Sequence, residues 1–250
     1  MSFQNRKQTI LRLLEEKEEV EVKEFAQLLN ISEITIRRDL IQMAAEGLLH
    51  RTHGGAMRLS LVQNPVTFSN KTTTNAEQKD KICRVAAQFI QEGDIIFIDC
   101  GSTVFRLCPY IRHKKIKVIT NSLPVVYELH GSSVSINLIG GELDVERQAI
   151  HGSIAEEHIK RYRANRAFIG VDGISPENGL SALSEKEASI TLAMASHSAQ
   201  VYLLCDATKL GQDKYLQFAG LDIIHTLITD ADLKKVKPYQ DQRLQVICVE

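Results

Sequence analysis

Apolar residues recur three and four positions apart along the N-terminal stretch. Ile10, Leu13 and Leu14 make one set, Phe25, Ala26, Leu28 and Leu29 a second, and Ile36, Leu40 and Met43 a third. This spacing puts each set on one side of a helix, and three short helices can cover one small core between them. Residues 1–57 are therefore expected to form a small helical domain. Residues 58–74 break the pattern: the segment is polar, rich in Ser, Thr and Asn, and contains Pro65. It reads as a linker. From residue 75 to 250 the pattern changes again. Asn75 and Gln78 have the spacing of a capping box and open a helical stretch ending at Gly93. Near-continuous apolar runs follow: DIIFID at 94, KVIT at 117, SINLIG at 135, RAFIGVD at 166, QVYLLCD at 200, HTLITD at 225 and LQVICV at 244. Such runs suit strands buried on both faces of a parallel sheet. Helical stretches at 122–130, 152–162 and 185–197 lie between several of them. The expected fold class is α/β, strand and helix alternating.

Composition narrows the class. The chain has 250 residues, 44% hydrophobic and 24% charged, as a globular protein of one large or two smaller domains does. No apolar run approaches the roughly 18 residues of a membrane helix. MSFQNRKQTI lacks the apolar core of a secretory signal. A cytoplasmic location without a membrane partner is expected. The five cysteines (Cys83, Cys100, Cys108, Cys205 and Cys248) are odd in number and form no CxxC pair. They read as buried thiols rather than disulfides or a thiolate zinc site, and neither a metal nor a cofactor is expected. A net charge of -1 says nothing for nucleic acid by itself, so the local distribution of charge decides.

VEVKEFAQLLNISEITIRRDLIQM reads as helix, tight turn, helix. Asn30 tolerates the left-handed backbone that ends a helix, and Ser32 can cap the next one. Two helices joined this way form a helix-turn-helix, whose second helix enters the major groove. Ile36 and Leu40 anchor that helix. Ser32, Thr35, Arg37 and Arg38 are left on or near its free faces, and hydroxyls and arginines contact phosphates and guanine edges. Asp39 reads as an inward acid steadying a neighbouring arginine. LLHRTHGGA follows, and His50, Arg51, His53 and Gly54 would form a basic wing beside the DNA backbone. An amphipathic helix with two arginines is more often just solvated; the turn, the cap and the hairpin together favour the reader. The acids Glu15, Glu16, Glu18, Glu19 and Glu21 should face away from DNA, because carboxylates near phosphates repel.

A second constellation sits after the expected strands. Asp99, Gly101, Ser102 and Thr103 lie between a strand and a helix, where free amides and the helix dipole favour an anion. Thr120, Asn121 and Ser122 repeat the design, and Gly140 and Gly141 follow a third strand. Ligands of open α/β sheets sit at the carboxyl ends of the strands, so three such turns make a candidate phosphate cradle. No Walker motif or complete GxGxxG specifies a nucleotide. Asp172 and Asp206 follow strands and can accept hydrogen bonds from sugar hydroxyls. Glu187 lies on a later helix, and Lys209 can pair with a phosphate or with Asp206.

These residues resemble a known family. The SEITIRRDL and RTHGGA runs, with the helices before them, look like the winged helix of DeoR-family bacterial transcription regulators over nearly all of residues 5–56. DCGST, TNSL, IGG, FIGVDGIS, DATKLG and ITD are similar, in order and spacing, to that family's sensor domain. The resemblance implies a fold like ribose-5-phosphate isomerase, glucosamine-6-phosphate deaminase and CoA transferases. It also implies a phosphorylated sugar or related metabolite as effector, bound by the loops at 99–103, 120–122 and 140–141. Cys100 and Ser102 depart from the family's usual Ala or Ser and Thr, and Lys71 stands about where an Arg often lies. The expected function is a regulator, most simply a repressor, acting on operator DNA as a homo-oligomer (dimer or tetramer) and released by its effector. The alternative is a sugar-phosphate isomerase or deaminase, with Asp172, Glu187 and Lys209 as acid–base candidates. No pair there fixes a catalytic acid and base, so no catalytic residue is expected. A third reading, DNA organisation without a sensor, predicts no ligand-dependent thermal shift, whereas a matching ligand should raise the melting temperature of a sensor.

Overall fold

The structure, a computed structural model, describes residues 3–17, 19–45, 48–51, 54–57 and 74–249. The chain divides into two compact units, Met1–Val66 and Thr67–Glu250.

The first unit runs α1 (Phe3–Lys17), β1 (Glu19–Glu21), α2 (Val22–Leu29), α3 (Glu33–Ala45), β2 (His50–Arg51) and β3 (Gly55–Met57). Ile10 and Leu14 of α1, Phe25 and Leu29 of α2, and Ile36, Leu40 and Met43 of α3 close one core with Val20 and Ala56. Each such side chain stabilises the fold by roughly 1.5–3 kcal/mol relative to leaving it exposed. Helical spacing foresaw these contacts, except that Leu28 faces out at 56% exposure. It did not foresee the small sheet, antiparallel in the order β1-β3-β2, with Val20 and Arg51 both opposite Ala56. Gly55 is required there, because a Cβ would stand 2.2 Å from the Val20 carbonyl oxygen.

The second unit begins with α4 (Ala76–Ala86), which tightens into a 3-10 turn at Ala87–Phe89, short of Gly93. The capping box expected at Asn75 does not form. Asn75 has a left-handed backbone (φ 53°) and its side chain makes no cap bond. That conformation turns the side chain elsewhere: its Nδ2 donates to Asp206 Oδ1 at 3.5 Å, while its carbonyl accepts from the Lys79 amide. Then come β4 (Ile95–Ile98), α5 (Ser102–Phe105), α6 (Cys108–Ile111), β5 (Lys117–Thr120), α7 (Leu123–Leu129), β6 (Ser135–Leu138), β7 (Glu142–Asp144), β8 (Ala149–His151), α8 (Ser153–Lys160) and β9 (Ala164–Ile169). The chain ends with β10 (Gly173–Ser175), β11 (Gly179–Ala182), α9 (Glu185–Ser196), β12 (Ser198–Leu204), β13 (Leu216–Ala219), β14 (Thr226–Thr229), α10 (Leu233–Asp241) and β15 (Gln245–Cys248).

All seven apolar runs become strands of one parallel sheet, in the order β15-β14-β12-β9-β4-β5-β6. Its two faces are sorted by residue parity. Phe97, Ala167, Ile169, Val201 and Leu203 pack on Ala155, Ile190, Met194 and Tyr239 from α8, α9 and α10. Ile96, Ile98, Phe168, Tyr202 and Leu204 pack on Ile82, Ile111 and Val125 from α4, α6 and α7. Burial on both sides explains why these strands read as unbroken apolar runs. Two antiparallel additions, β7 with β8 and β10 with β11 and β13, lie outside the main sheet. Among the described residues no helix is long and apolar enough to cross a membrane.

The chain starts the main sheet at β4, proceeds to β5 and β6 on one side, then returns to β9 on the other and continues outward. Connections leave β4 and β9 in opposite directions, so the switch point of the sheet lies between their carboxyl ends. Crevices at such points are where open α/β sheets hold ligands.

Candidate functional site

In the first unit, Asn30 ends α2 in the left-handed conformation (φ 51°, ψ 50°), its amide donating to the Ala26 and Gln27 carbonyls. Ser32 then starts α3: its Oγ accepts from the Thr35 amide at 3.4 Å and lies 3.0 Å from the Thr35 hydroxyl. With Ile36 and Leu40 turned inward, Ile34, Arg37, Arg38 and Ile41 form one exposed stripe. Ile34 is 71% exposed, and the sequence reading passed it over. An apolar group among hydroxyls and arginines is suited to a thymine methyl. Arg37 donates to Glu33 at 3.1 Å across one helical turn, an exposed pair that a phosphate can displace at little cost. Asp39 is buried and grips Arg6 of α1 through two bonds, 2.5 and 2.9 Å. The arginine it steadies is thus 33 residues away rather than the adjacent Arg37 or Arg38. His50 and Arg51 lie in β2, and Gly54 is exposed just before β3 with its carbonyl accepting from the Val22 amide. His53 and the linker position Lys71 fall outside the described residues, as do the side chains of Glu15, Glu16, Glu18 and Glu19; Glu21 is exposed.

In the second unit, the switch point is tied by Asp99. Its buried carboxylate accepts from the Gly101 amide at 2.7 Å and from the Gly170 amide at 2.6 Å, joining the loops after β4 and β9. Burial pushes the Asp99 carboxyl up to about 6 against those two bonds, and the nearby Glu187 and Asp172 add to the rise. Asp172 accepts from the Leu183 amide at 3.1 Å. Glu187, three residues past Ser184, the cap of α9, pairs with Arg147 at 2.8 Å. Ser102 and Thr103 open α5, a single turn that sums few peptide dipoles. The positive charge comes instead from Lys79 of α4, which is 4% exposed and donates to Ser102 Oγ at 3.2 Å. The sequence reading missed Lys79; its one signal was a lysine on the inward face of an amphipathic helix.

The remaining residues are used locally as well. Thr120 Oγ1 accepts from the Ser122 amide, and Ser122 Oγ accepts from the Val125 amide at the start of α7. Asn121 donates to the Ile150 carbonyl, and its Oδ1 is buried without a hydrogen-bond partner among the described residues. The Gly140 amide donates to His158 Nδ1 at 3.2 Å. Gly141 has φ 152°, and a Cβ there would meet the His151 carbonyl oxygen at 2.6 Å. Asp206 accepts from the Thr208 amide and hydroxyl and from Asn75. Lys209 is half-buried, with no carboxylate within ion-pair distance among the described residues. Asp172 and Glu187 are close enough to Asp99 to raise it, and the start of α4 links Ser102 with Asp206.

Residues 6–61 match the DeoR-like helix-turn-helix domain, and residues 74–231 match the DeoR C terminal sensor domain. The chain is 33% identical to the HTH-type transcriptional repressor GlcR of Bacillus subtilis, over 88% of this chain and 86% of that one. It is 36% identical to the lactose phosphotransferase system repressor of Lactococcus lactis, over 92% of each. Ribose 5 phosphate isomerase A from Neisseria gonorrhoeae overlays on 55% of the chain and 54% of its own, with a TM-score of 0.41 and 17% identity. On the two domain matches and these relatives, the chain belongs to the DeoR family of transcriptional regulators.

Proposed function

We propose that the protein is a repressor whose winged helix reads operator DNA and whose α/β unit binds a phosphorylated sugar that releases it. The observation that carries the DNA reading is the exposed Ile34–Arg37–Arg38–Ile41 stripe on a capped, core-anchored helix. The observation that carries the effector reading is the buried Lys79 ammonium on Ser102, beside the switch point. A buried lysine bonded to a hydroxyl at a ligand crevice suits a phosphate, with the Gly101–Thr103 amides alongside. Asp172 and Asp206 supply acceptors for sugar hydroxyls, and Lys209 a second cation. The names of the relatives, GlcR and the lactose phosphotransferase system repressor, support repression and a sugar stimulus.

The protein acts as a homo-oligomer, dimer or tetramer, in the cytoplasm, because paired half-sites give a small reader its affinity and specificity. It regulates rather than catalyses, a reading supported by its relatives, two of which are named as repressors. The test is an operator shift assay across a panel of aldose and ketose phosphates. One member is expected to release the DNA. A panel in which no phosphate changes operator affinity would sink the effector reading, and turnover of any member would favour the enzyme.

A further inference from the structure

Cys100, His151 and Glu187 come from three separate places: the turn after β4, the end of β8 and the first turn of α9. A sulfur, a ring nitrogen and a carboxylate oxygen from them all lie within 4.8 Å of one another. His151 is 1% exposed, and neither ring nitrogen has a hydrogen-bond partner among the described residues. Buried imidazoles nearly always bond on at least one side, so both nitrogens stand ready for a group that the described residues do not supply.

We propose that these three side chains bind one divalent ion of the zinc type, leaving a fourth position open. Thiolate, imidazole and carboxylate are the donor types that zinc takes, and three protein ligands with an open fourth position is one of its two common arrangements. With bonds of ~2.0–2.3 Å, donor atoms around such an ion stand ~3.3–3.8 Å apart, so from separations within 4.8 Å the three groups need to close by at most about 1.5 Å. Glu187 also holds Arg147, but a carboxylate has lone pairs enough for both. Glu142, Asp144, Arg147 and Lys186 surround the ring. Counting Glu187 and the thiolate, negative charges outnumber positive ones, which a dication balances. Binding exchanges the thiol proton for the ion: the S–H bond breaks, the S–metal bond forms, and the proton leaves to solvent without any redox change.

The test uses the full-length metal-free chain and Co2+, whose thiolate complexes absorb in the near ultraviolet. One ion per chain is expected, with a thiolate-to-cobalt band that Zn2+ displaces. Cys100→Ser, nearly isosteric, is expected to abolish the band and weaken binding at least tenfold. Cys248→Ser, which alters the other partly exposed thiol, is expected to keep it. His151→Ala is expected to weaken binding, with circular dichroism verifying that the variant is folded. A parent chain without the band, or a Cys100→Ser chain that retains it, overturns the site. No sugar or DNA enters the experiment, so its result is independent of the effector reading.

Discussion

Single residues divide the labour of the two units. On α3, Arg38→Ala is expected to cost roughly 1–3 kcal/mol of operator affinity if it reads a base edge, and to relax specificity there. If it touches a phosphate, the variant instead weakens all sequences and flattens the salt dependence; titration at several salt concentrations separates the two. In the α/β unit, Lys79→Met retains the stem and removes the charge. It is expected to raise the Kd for the effector phosphate by about tenfold or more, the worth of a charge-assisted bond, measured by calorimetry. Asp99 carries a pH signature. Its folded value of about 6 lies above the ordinary 3.8, so within that window the folded chain holds a proton the unfolded chain has lost. The carboxyl therefore lends stability at low pH that is lost as pH rises through the window. Asp99→Asn is expected to remove that slope from urea-denaturation profiles, while lowering stability throughout because Gly101 and Gly170 donate to different carboxylate oxygens and the variant puts an NH2 donor in place of one of them. Arg38, Asp99 and Ser102 could be singled out as candidates because they sit in runs with recognisable spacing. Lys79 and the Cys100–His151–Glu187 cluster could not, since only the fold joins their positions.

Elements were legible in proportion to their apolar content. The central strands announced themselves as Val/Ile/Leu/Phe runs, because burial on both faces leaves little place for polar residues, whereas the edge strands β6 and β15 are half-buried and carry Asn137 and Gln245. The strands β7, β8, β10, β11 and β13 are three or four residues each and lie off the main sheet, so no sustained pattern marked them. Asn75 misled because the residue types of a cap do not fix the backbone: a left-handed φ took its side chain to Asp206. The turn of the helix-turn-helix was legible for the opposite reason, since Asn30 and Ser32 each have a strong local preference. Asn30→Ala is expected to destabilise the first unit by about 1 kcal/mol, the cost of a Cβ in the left-handed region, whereas Asn30→Gly should be tolerated. Thermal denaturation of the pair checks this. Equal melting temperatures for the two variants would mean the turn is not held in that conformation.

At the scale of the whole molecule, the two units matter only through their coupling. If the effector lowers operator affinity by some factor, operator DNA must lower effector affinity by the same factor. Calorimetric titration of the sugar phosphate with and without operator is expected to return equal factors, and an unequal pair would expose a third linked component. Periodicity changes from helical to strand-like at a polar stretch, which is why the sequence suggests two domains. One feature of the α/β unit also bears on how the molecule comes to exist. The Asp99–Gly170 bond at the switch point spans 71 residues of sequence, and β9 must dock against β4 before it can form. Contacts between such distant segments form slowly, because loop closure precedes any reward. During synthesis the crevice therefore assembles late, after β5 and β6 already have their partner. A chain in which β9 has not yet docked on β4 therefore has no crevice, so the crevice belongs to the folded unit and to no local segment of it.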